Sequence, residues 1–70
     1  MKENETTNKP GPGILIIENI FYNRSQIVNI LKPKEYNIIE TVSLTEGIFK
    51  LQTLKPAVLI LGINLIKSMG

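Results

Sequence analysis

Seventy residues with a formal charge of +2 make one domain at most. The chain holds no Cys, no His and no Asp, which excludes disulfides, thiolate or imidazole metal ligands, a histidine base and an aspartyl phosphate. The eight Lys and Arg are scattered and form no stripe, so nucleic acid is not an expected partner.

Residues 1–13, MKENETTNKPGPG, are polar and close on Pro10-Gly11-Pro12-Gly13. Such a stretch buries too little apolar surface to offset its chain entropy, and a disordered leader is expected there. Lys2 is followed by no apolar h-region, and no apolar run nears the roughly 20 residues that span a bilayer. Neither a membrane segment nor an export signal is read, and a cytoplasmic location is expected. Residues 14–70 are then a small domain, which buries only roughly 60% of its unfolded surface.

Ile14-Leu15-Ile16-Ile17 is a run of branched apolar residues, the pattern of a parallel strand buried on both faces. It ends at Glu18-Asn19. From about Tyr22 to Leu31, the spacing of Asn23, Ile27, Ile30 and Leu31 predicts a short amphipathic helix, which Pro33 stops. Tyr36 to Val42 is β-branched and predicts a second strand. Ser43-Leu44-Thr45-Glu46 fits a capping box and opens a second helix, expected to bury Leu44, Ile48, Leu51 and Leu54. Gly47 inside that helix costs about 1 kcal/mol relative to Ala. Lys55-Pro56 ends it, and Ala57 to Ile63 predicts a third strand. The order β-α-β-α-β implies an α/β unit with parallel strands and right-handed crossovers.

In an open α/β sheet, ligands sit beyond the carboxyl ends of the strands. That edge holds Glu18-Asn19, Val42-Ser43 and Gly62-Ile63-Asn64. The first loop, ENIFYNR, has no glycine to let backbone amides approach a phosphate, so dinucleotide and P-loop binding are excluded. Glu18 is the one carboxylate of the edge, joined by the neutral oxygens of Asn19 and Asn64. A weak divalent-cation site and a solvated strand end are both open readings, and the second asks less of the residues. Ser43 is the one hydroxyl, with no histidine to activate it, and helix capping explains it. Phe21 and Tyr22 are read as core residues in preference to a partner surface. No catalytic residue, metal or cofactor is expected.

Taken together, these segments resemble the first half of a receiver domain of two-component response regulators, without a gap from Ile14 to Gly70. ILIIEN matches the first strand and acidic pair, Asn23-Arg24 the start of the first helix. EYNIIETVSLTEGIFKLQTLKP resembles the second strand and helix, and LKPAVLILGINL the third-strand segment. The resemblance implies a truncated flavodoxin-like unit with a three-stranded parallel sheet in order 2-1-3. It places Gly62 at the phosphoacceptor aspartate and Glu18-Asn19 at the Mg²⁺-binding acidic pair, while Ile66 takes the place of the family's turn proline. Strands four and five and helices three to five of the family would lie beyond Gly70.

A glycine forms no acyl phosphate, so the resemblance implies a module of the phosphorelay type that does not accept phosphate. Any activity would be protein–protein interaction. The alternative is a non-functional fragment of a longer response regulator or hybrid kinase. The third strand would be an apolar, uncharged edge, and self-association or a protein partner is expected there.

Overall fold

The computed structural model describes residues 11–69. Its elements are β1 (Gly13–Ile17), α1 (Phe21–Leu31), a 3₁₀ turn (Lys32–Lys34), β2 (Asn37–Thr41), α2 (Leu44–Leu54), β3 (Val58–Leu61) and α3 (Ile63–Met69). The three strands form one parallel sheet in the order β2-β1-β3, an α/β unit as the sequence predicts. Register runs from Gly13↔Asn37 to Ile17↔Thr41 on one side of β1, and from Ile14↔Val58 to Ile17↔Leu61 on the other.

Residues 1–10 of the expected leader lie outside the described residues. Its last residues belong to the fold. The Pro12 carbonyl accepts from Asn37 N–H at 2.9 Å, the Gly13 carbonyl accepts from Ala57 N–H at 2.9 Å, and β1 already includes Gly13.

Successive side chains of β1 point to opposite faces of the sheet and so alternate between two small cores. Ile14 and Ile16 join Ile38, covered by Ile27, Val28 and Leu31 of α1. Leu15 and Ile17 join Ile39 on the opposite face, covered by Leu44 of α2, Leu61 of β3 and Leu65 of α3. This is the burial on both faces that the unbroken ILII run required. α1 ends at Leu31, and Pro33 sits at the start of the 3₁₀ turn, where its missing N–H costs nothing.

Two expectations change. The third strand is shorter than Ala57–Ile63, because Ile63 opens α3, a helix placed beyond Gly70 by the resemblance. In α2, Ile48, Leu51 and Leu54 are exposed and Leu44 alone of the four packs on the core. α2 meets that face through Leu44 and through Gly47, which lies against Ile17, and Ile48, Leu51 and Leu54 fall outside this contact.

Candidate functional site

The carboxyl ends of the strands bring Glu18 and Gly62 together. Ile17 fixes both: Glu18 follows it directly, and Gly62 N–H donates to the Ile17 carbonyl at 2.8 Å. Glu18 N–H donates across to the Thr41 carbonyl at 3.1 Å, so the residue remains tied to the sheet. Its side chain folds back and is 5% exposed. Oε2 accepts from Ile20 N–H at 2.9 Å, one of the free amides at the entrance to α1. The carboxylate therefore satisfies the N-cap residue's own amide, while Ile20, an apolar N-cap, makes no side-chain cap bond.

The same carboxylate lies against Gly62. A Cβ on Gly62 would meet Glu18 Oε1 and would lie 2.9 Å from its Cδ. No glycine among the described residues has a positive φ, so Gly62 answers a demand for space and not for a backbone conformation.

Asn19, the other half of the expected acidic pair, is exposed, as is Asn64. Among the described residues, no group of three or more His, Cys, Asp or Glu is placed to hold a metal ion. Ser43 acts as the cap that the sequence predicts: its Oγ accepts from Glu46 N–H at 3.2 Å. Phe21 is 73% exposed and Tyr22 is 69% exposed. They are surface residues, contrary to the expectation that they are core. They sit on the first turn of α1, whose inward stripe starts only at Ile27 and Val28.

Two residues to which the sequence gives no role in the site build its walls. Arg24 Nη1 donates to the Glu18 carbonyl at 2.8 Å, its Nε lies 3.3 Å from Glu40 Oε1, and its Cζ stands 5.5 Å from the Phe21 ring centroid. One side chain so ties α1 to the ends of both β1 and β2. Thr41 is buried, and its hydroxyl donates to the Ile16 carbonyl at 3.0 Å. The signal available for Thr41 is its place in the i, i+2 series with the apolar Ile39, on the face of β2 that carries no charge. Arg24 gave none, because its partner Glu40 is distant in sequence and meets it only once α1 crosses the sheet.

Chemically, the site presents one enclosed carboxylate, occupied by a backbone amide, against a residue without a side chain. Comparison with family models, with curated proteins and with solved structures gives no match. Among the described residues, no helix is long and apolar enough to cross a membrane.

Proposed function

We propose that the chain is a receiver-like module that accepts no phosphate and acts in the cytoplasm by docking to protein. The observation that carries the reading is the contact between Glu18 and Gly62. At the place where the resemblance puts a nucleophilic carboxylate there is no side chain, and the space is taken by a carboxylate engaged in capping a helix. An acyl phosphate forms when a free carboxylate oxygen attacks phosphorus in line with the departing oxygen, with cations to offset charge on the transferred group. Glu18 is enclosed and its charge is spent on Ile20 N–H. Docking is favoured by the exposed apolar side chains of Phe21, Tyr22, Phe49, Val58, Leu59, Ile63 and Ile66, a large share of the apolar content of so small a fold.

The test is incubation of the chain with acetyl phosphate and Mg²⁺, followed by intact mass measurement under conditions that preserve acyl phosphates. The expected result is an unchanged mass. A labile phosphoryl adduct that maps to Glu18 or any other carboxylate would overturn the reading.

A further inference from the structure

We propose that two copies of this chain pair through β3, antiparallel, about a two-fold axis at Ile60, to make one six-stranded sheet. The inference rests on the docking half of the function proposed above and names the partner as a second copy.

The sheet has two edges, and they differ. On the β2 edge Ile38, Ile39 and Thr41 are buried, and Glu40 supplies a charge held by Arg24. A charged residue on an edge strand opposes pairing with another chain. On the β3 edge, the segment Pro56–Ile66, PAVLILGINLI, carries no charge at all. Val58 and Leu59 are exposed although they project to opposite faces of the sheet. No other strand lies on that side among the described residues. Residues 1–10 match this edge poorly, with Met1 as their sole large apolar residue.

The register selects how a copy would fit. With Ile14 opposite Val58 and Gly62 N–H donating to the Ile17 carbonyl, the main-chain groups of Val58 and Ile60 face β1. Those of Leu59 and Leu61 face outward. Antiparallel pairing about Ile60 sets Leu59 of each copy opposite Leu61 of the other, so both outward residues exchange N–H···O=C bonds. Ile60 meets Ile60 at the close, non-hydrogen-bonded position, and Val58 meets Gly62. Every cross-strand pair is apolar, with no like charges opposed. The arrangement is isologous and consumes both β3 edges, leaving only the two charged β2 edges outside. It therefore stops at a dimer.

The chain lacks cysteine, which makes a direct test possible. Sedimentation of the full chain over the micromolar range should show a reversible monomer–dimer equilibrium. A chain that stays monomeric throughout overturns the inference and leaves the phosphate reading intact. Ile60→Cys keeps the site apolar and puts two thiols at the close pair, where Cβ atoms are about 4.5 Å apart, within disulfide reach. Under mild oxidation, I60C should form covalent dimer about tenfold faster than the control F49C, whose residue is exposed on α2, because pairing raises the local thiol concentration. Equal rates, or faster cross-linking of F49C, would place the contact elsewhere and overturn the proposal.

Discussion

The carboxylate of Glu18 stands where a side chain on Gly62 would begin, and the same carboxylate caps α1 through Ile20 N–H. The two residues are thus a matched pair: one can keep its buried position only while the other has no Cβ. Gly62→Ala is expected to push the carboxylate off the amide and to cost about 1 kcal/mol, the worth of a buried hydrogen bond to a charged acceptor after partial relaxation. Glu18→Ala removes the obstruction as well as the bond. The double variant should therefore be more stable than the sum of the single effects allows, with a coupling of about 1 kcal/mol. Urea unfolding at one fixed protein concentration measures this, since association would otherwise shift the result. Additive losses would show that the two residues do not touch in solution.

Gly62→Asp tests the same pair chemically. It puts a carboxylate at the position that the proposed receiver likeness gives to a phosphoacceptor, but the new group meets Glu18, with neutral Asn19 beside it. Two carboxylates forced together without a cation oppose one another's ionisation. G62D is expected to remain unphosphorylated by acetyl phosphate and Mg²⁺, and to be less stable than G62A at neutral pH. A phosphoryl adduct on Asp at this position would show that the glycine alone blocks the chemistry.

Gly47→Ala reverses the usual helix rule. In an open helix the change gains about 1 kcal/mol. Here a Cβ would meet Ile17 Cδ1 and would lie 2.6 Å from its Cγ1. Ile17 is itself buried in the sheet and has little room to yield. Overpacking of this kind costs about 1–3 kcal/mol, so the net expectation is a loss of about 1 kcal/mol. An unfolding midpoint above that of the parent chain would mean that α2 can lift from β1 freely.

The backbone plan was legible in the sequence because the signals were strong where the sheet is most buried. ILII reads as a strand buried on both faces, Tyr36–Val42 as a second strand, and the Ser43–Glu46 spacing put the start of α2 at the correct residue, while the strand order came from the resemblance. What the sequence did not reveal depends on how far the elements cover one another. Leu51 and Leu54 read as core because they continue the stripe from Leu44, yet α2 meets the sheet through Leu44 and Gly47 and leaves both exposed. Phe21 and Tyr22 read as core from residue type alone, and they lie on the first turn of α1, before its inward stripe begins at Ile27 and Val28. At the site, Gly62 and Glu18 were each singled out, but their contact was not. It arises from a side chain that folds back along the first loop to reach Ile20, which no spacing rule encodes.

Thr41 offers a test of the polar wall. Thr41→Val replaces the hydroxyl with a methyl of similar size and removes the bond to the Ile16 carbonyl. That carbonyl also faces β2, so the loss should be modest, about 0.5–1 kcal/mol. Thermal unfolding would register it as a lowered midpoint with little change in the far-ultraviolet spectrum. A stabilised variant would mean that the buried hydroxyl costs more in desolvation than its bond returns.

Among the described residues, the left-handed positions are held by charged residues and not by glycine. Glu35 has φ 61° after the 3₁₀ turn, and Lys55 has φ 48° at the end of α2, where its N–H donates to the Leu51 carbonyl at 3.2 Å. A side chain in this region costs roughly 1–2 kcal/mol because Cβ crowds the following carbonyl. Glycine removes that crowding but enlarges the entropy of the unfolded chain by about 0.4–1 kcal/mol. Glu35→Gly and Lys55→Gly are each expected to raise stability by about 0.5–1 kcal/mol, the difference between the two terms. Both side chains are exposed, so packing does not confuse the comparison. The Ala variants provide the control: they keep the Cβ, gain nothing in the left-handed region, and should leave the unfolding midpoint unchanged or lower. If Ala stabilises as much as Gly at either position, charge and not backbone conformation limits the fold there.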